Sequence, residues 1–261
     1  ANTNSDTNDI TLTTSASSAG NISVGAIDAG SAGDVSLTAD GAITEDDQSA
    51  TVVAADELTV ISKGPITLAT KVVSANITTN ATGAIDIDET DGITLVSVTS
   101  NDGSIDIAAG NTVTATFVNS QSDKDANNIT LATTAGNISV VTLIAGATGD
   151  ANLTATAGAV TGNYPSAKHV TADALTVNAG GQISLATQVT NASLTTTALG
   201  AVELHETDAL TLTSITSHNG PVTITAADTL TVTSITSTTS SNINDVSLTT
   251  TSGNVSVVTI D

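Results

Sequence analysis

The sequence predicts an all-β fold: a right-handed parallel β-helix, or β-solenoid, with coils of about 20 residues. Three observations carry this. Thr is roughly a fifth of the chain, and with Val and Ile it supplies β-branched residues that favour extended backbone. Short apolar-x-apolar segments recur at nearly constant spacing. A longer pattern then repeats at an offset of 117 residues. Apolar stripes at helical spacing are absent beyond a turn or two.

The short segments come in order. They start near Leu58, Ile66, Ile77, Ile85, Ile93, Ile105 and Val113, in steps of 8, 11, 8, 8, 12 and 8 residues. Gly, Asn or Asp punctuate them, as at Gly64-Pro65, Gly83, Asp91-Gly92 and Gly110-Asn111. Every second segment returns after about one solenoid turn. Alternation places Ile, Val and Leu on one face and Thr, Ser, Asp or Asn on the other.

The longer pattern pairs Leu58 with Leu175, Ile66 with Ile183, Ile85 with Val202, Ile105 with Val222 and Ile129 with Val246. Residues 1–261 read as one continuous solenoid. Its units are approximately 10–128 and 129–245, with 246–261 starting a third. The chain thus reads as a segment of a longer array. At about six coils per unit and about 4.8 Å per coil, a unit would be about 29 Å long. Tandem immunoglobulin-like β-sandwiches are the alternative. They need a shared large core residue, yet Phe117 and Tyr164 have Ser234 and Asp47 as counterparts.

Stretches such as 171–177 (TADALTV), 200–215 (GAVELHETDALTLTSI) and 245–257 (DVSLTTTSGNVSV) resemble the repetitive β-helical shafts of giant bacterial secreted proteins of the filamentous-haemagglutinin type. That resemblance implies an exported or surface-attached fibre serving adhesion or cell-to-cell contact.

Composition narrows function. Four Lys+Arg against 26 Asp+Glu give a net charge of -22, which repels nucleic acid and anionic membranes. No apolar run is long enough for a transmembrane segment. Without Cys there is no disulfide, thiolate metal site or Cys nucleophile. The basic residues are Lys63, Lys71, Lys124 and Lys168, too few to clamp an acidic sugar. His169, His205 and His218 have Val52, Asp88 and Asn101 as counterparts and read as exposed strand or turn residues. Only the irregular stretch 163–169 offers a non-repeating polar pocket. The expectation is a structural protein and not an enzyme.

One cluster repeats. Asp86, Asp88, Glu89 and Asp91 are echoed by Glu203, His205, Glu206 and Asp208, with Glu-Thr-Asp kept in both copies. Closely spaced carboxylates suit Ca²⁺, which accepts six to eight oxygens. The same charges would also serve as a solvated turn. A weaker acidic run is Glu45-Asp46-Asp47. Asn-x-Ser/Thr occurs at Asn21, Asn76, Asn128, Asn137 and Asn254 before strand starts, where Asn bonds nearby backbone at a turn. Thr-x-Thr arrays such as 229–233 raise an ice-binding reading, which Asp86, Asp88 and Asp106 interrupt. The implied partners are further repeats of the same chain or self-association into filaments.

Overall fold

The computed structural model describes residues 8–15, 20–46, 52–162, 168–239 and 243–261. Tyr164, Asp47 and most of the stretch 163–169 lie outside them. Among the described residues the chain is all-β without helix, and its strands stack in parallel as a solenoid of about 11 turns, about 21 residues apart. Uniformly parallel pairing excludes tandem sandwiches, whose sheets pair antiparallel.

Two columns of strands organise the coils. Side two runs Ile22, Ile43, Ile66, Ile85, Ile105, Ile129, Ala151, Leu175, Ala192, Leu212, Val232 and Val257, each partnered with the next. Side one passes through Ile10, Val35, Leu58, Ala75 and Leu95. Residues 93–95 carry it on through Val113, Ile138, Val160, Ile183, Val202, Val222 and Val246. The interior is aliphatic: Ile85, Ile87, Leu95, Val98, Ile105 and Ile107 are fully buried, and Asp86, Asp88 and Asp106 point out. Branched side chains of similar size fill this slim core without aromatic anchors, and Phe117 sits half-buried at a bend.

The 117-residue offset does not return to the same column. Leu58 lies on side one and Leu175 on side two; Ile66 lies on side two and Ile183 on side one. From Ile66 to Leu175 is five turns, and Leu58 precedes Ile66 by half a turn. The offset therefore spans five and a half turns, not six coils, and a copy's pattern changes sides. Flat five-residue strands such as Ile85–Glu89 occupy side two in the first copy, whereas their counterparts such as Val202–Glu206 occupy side one. The change is made within the longest strands, Ile66–Thr82 and Ile183–Thr196, and those stacked on them, Val53–Ser62 and Val170–Ala179.

Glycine is required where corners stack. A Cβ on Gly103 would lie 2.4 Å from the Gly83 carbonyl oxygen, and one on Gly220 would lie 2.3 Å from that of Gly200. Beside them Ser100 Oγ donates to Gly83 O at 3.1 Å, and Ser217 Oγ to Gly220 O at 2.9 Å, satisfying buried hydroxyls and carbonyls together.

Candidate functional site

The repeated carboxylates divide by strand parity. Asp86 and Asp88 face solvent, and Asp106 stands directly over Asp86 in the next coil. Burial against the strand face raises the Asp86 pKa first, followed by Asp88, Asp106 and Glu45; burial and then Asp88 raise that of Asp106. In the second copy Glu203 and His205 replace the Asp pair and make a 3.0 Å contact through Oε1 and Nε2, while Thr223 replaces Asp106.

Glu89 and Glu206 point the other way, with Ile85, Ile87, Val202 and Leu204, and are each only 4% exposed. Glu89 Oε2 accepts from Thr70 Oγ1 at 2.8 Å and from Val72 N at 3.0 Å, while Oε1 accepts from Asp91 N at 3.1 Å. Glu206 repeats this with Thr187 Oγ1 at 2.8 Å, Val189 N at 3.0 Å and Asp208 N at 3.3 Å, and adds Thr207 N at 2.8 Å. The cause is topological. Thr70 and Thr187 pair with the glutamates, and the lower coil turns away at 90–92 and 207–209, so the carboxylate stands in for the next carbonyl. Asp91 and Asp208 lie exposed in that turn. The repeated carboxylates are thus divided between an outer face, a buried cap and a turn. Among the described residues no group of three or more His, Asp or Glu could hold a metal ion.

Burial drives the Glu206 pKa up to about 7; the Thr187 hydroxyl opposes this, the Asp208 side chain adds to it, and the Val189 and Thr207 amides oppose it. Glu89 is raised for the same first reason.

A second substitution for backbone lies one coil earlier. Ala69 N donates to Glu45 Oε2 at 2.7 Å; its counterpart Ala186 N donates to His169 Nδ1 at 2.9 Å. Position 45 becomes Gly162 in the second copy, and Val52 becomes His169. A Cβ at Gly162 would overlap the imidazole, 1.9 Å from Nδ1. The acceptor survives although the residue supplying it moves. His169 is therefore not an exposed strand or turn residue: it is 2% exposed. His205 is half-buried and His218 exposed.

Asn21, Asn128 and Asn137 bond across coils instead of within their own turns. Asn21 Oδ1 accepts from Ala42 N at 2.9 Å, Asn137 Oδ1 from Ala159 N at 2.8 Å and Asn128 Oδ1 from Asp150 N at 2.8 Å. The loop 121–128 is tied to the preceding coil by Asp102, which accepts from Ser122 Oγ at 2.7 Å and Lys124 Nζ at 2.5 Å. Lys124 heads the contacts holding that carboxyl well below the usual range.

A groove follows each switch. One, of about 560 Å³, is lined by Ala55, Lys71, Val72, Val73 and Asp91; the other, of about 480 Å³, by Ala172, Gln188, Val189, Thr190 and Asp208. Every residue of the second set is the first set's partner at 117.

Stacked coils, an aliphatic core and side-chain substitutes for backbone define a β-solenoid repeat protein. Comparison with protein-family models, curated proteins and solved structures finds no match.

Proposed function

We propose that the chain is a segment of a long acidic extracellular fibre, stalk or adhesin shaft on a bacterial surface, of the kind the filamentous-haemagglutinin-type resemblance implies. Its role is mechanical and non-enzymatic. The observation that carries this reading is the parallel pairing of each coil with the next among the described residues, in which each coil is held by its neighbours alone. Such nearest-neighbour interfaces add up to a stiff rod. Further repeats of the same chain, or end-to-end association of copies, are the partners this reading implies. Among the described residues no helix is long and apolar enough to cross a membrane.

The test is immunogold electron microscopy of intact cells with an antibody to this chain. Label along surface filaments whose diffraction carries an axial spacing of about 4.8 Å is the expected result. Label confined to the cytoplasm refutes the reading. Melting that depends on calcium would favour an adhesive module organised by the ion.

A further inference from the structure

We propose that each 117-residue repeat carries a docking groove for a basic, extended peptide segment of a partner protein, displayed at alternate corners of the solenoid in successive copies. The inference rests on the fold and holds whether or not the fibre is extracellular.

The first support is equivalence. The grooves share Ala55 with Ala172, Val72 with Val189 and Asp91 with Asp208 at the repeat offset. Their floors are built alike, because Glu89 and Glu206 cap the amides of Val72 and Val189. A feature produced twice by equivalent residues belongs to the repeat.

The second support is shape. The first groove collects residues from four successive coils, at 28–31, 54–55, 71–73 and 91–92. Three intervals of about 4.8 Å make it about 14 Å long, the span of four or five extended residues at about 3.3 Å each. It lies along the corner where the chain passes from side two to side one. The second lies where the chain passes from side one to side two, because the repeat holds an odd number of half-turns. Two sites therefore face different directions, about 26 Å apart along the axis.

The third support is chemistry. Val73, 60% exposed, gives the first groove its apolar surface, with Val72 buried beneath it. Carboxylates stand at its ends, Asp28 and Asp91, and Asp208 and Asp228 stand in the second. Within a chain of net charge -22, such a groove attracts Lys or Arg and repels a second copy. Each groove carries one lysine against its carboxylates, since Lys71 lines the first and Lys168 Nζ donates to Gln188 Oε1 of the second at 2.6 Å, so the two bind the basic segment with similar strength.

The probe is an acetylated, amidated hexapeptide alternating Lys and Val, titrated at low salt against the whole chain with methyl NMR as readout. Shifts at Val189 and Ala172 and at Val72 and Ala55 over the same range of peptide concentration are expected. Lys71→Gln should lower the concentration needed for the Val72 and Ala55 set and leave the other set unchanged. Val73→Trp and Thr190→Trp, at exposed positions, should each remove one set and leave the other. Shifts centred on Asp86, Asp88 and Asp106 would overturn the proposal, as would Trp variants that keep both sets of shifts. A Glu-Val hexapeptide binding as well, or sedimentation showing paired chains that the Trp variants separate, would also overturn it.

Discussion

At the residue scale the buried glutamates decide how the fold responds to pH. An isolated Glu titrates near 4.5, whereas Glu206 in the folded chain is pushed up to about 7. Below about 4.5 both states hold the proton, and no difference arises. Between about 4.5 and 7 the folded state keeps a proton that the unfolded state has released. Stability from this group is therefore full in acid and falls as pH rises through 7. The magnitude is on the order of 3 kcal/mol, at about 1.4 kcal/mol per tenfold change in proton affinity. Glu206→Gln should flatten the difference in urea midpoint between pH 5 and pH 7.5 relative to the parent chain. An unchanged slope would mean that the four donors on Glu206 already hold it ionised. Neighbouring carboxylates are common to both chains and cancel.

The acceptor for Ala186 is decided at the same scale. His169→Val leaves the half-buried Ala186 amide without its partner, at a cost of about 1 kcal/mol. Adding Gly162→Glu transplants the first copy's arrangement and should recover most of that loss in chemical denaturation. A double variant no more stable than His169→Val would show that the two copies differ in more than which residue accepts.

Both roles were half legible in the sequence. Glu89 shares parity with Ile85 and Ile87, and His169 stands where the other copy has Val52, so strand alternation points both inward. Spacing alone grouped Glu89 with Asp86 and Asp88 as a single ligand set. A charged residue at an inward position reads as a ligand only while its backbone partner is unknown. That partner depends on which coil lies below, which no local pattern records.

At the scale of strands, the flat five-residue elements and the bent eight-residue ones alternate, and the side of the coil is set by their order. Apolar alternation and glycine punctuation made the strands, their spacing of about 20 residues and the parallel stacking readable. The half-turn phase was not readable, because sequence spacing fixes the separation of strands and leaves open whether an offset of 117 closes on a whole turn. The phase appears only when Leu58 pairs with Val35 and Ala75, while Leu175 pairs with Ala151 and Ala192. The same register stacks Asp106 on Asp86. Like charges directly opposed in a ladder cost about 0.2–1 kcal/mol, and Thr223 shows what the site accepts instead. Asp106→Thr should therefore raise the thermal midpoint at neutral pH, and the gain should shrink in 0.5 M salt. A lower midpoint would show that Asp106 has a stabilising contact outweighing the repulsion.

For the whole molecule the half-turn has a consequence that a cooperative rod can test. Neither side of the coil has a permanent identity: Val202–Glu206 holds on side one the pattern that Ile85–Glu89 holds on side two. A strand's neighbours, and not its absolute orientation, then determine whether it fits. Removing residues 59–175 joins Leu58 to Thr176 and takes out eleven half-turns. Every later strand moves to the opposite side while keeping the neighbours of its own copy. The shortened chain should unfold in one cooperative step with its parallel-β circular dichroism per residue unchanged. Its maximum dimension in small-angle X-ray scattering should fall by about 26 Å, five and a half coils at about 4.8 Å. Stability should drop only by the lost interfaces, as in other linear repeats. A collapsed or multi-step chain would mean that the two sides differ in something the strand pairing does not carry, and the interchangeability of copies would fail with it.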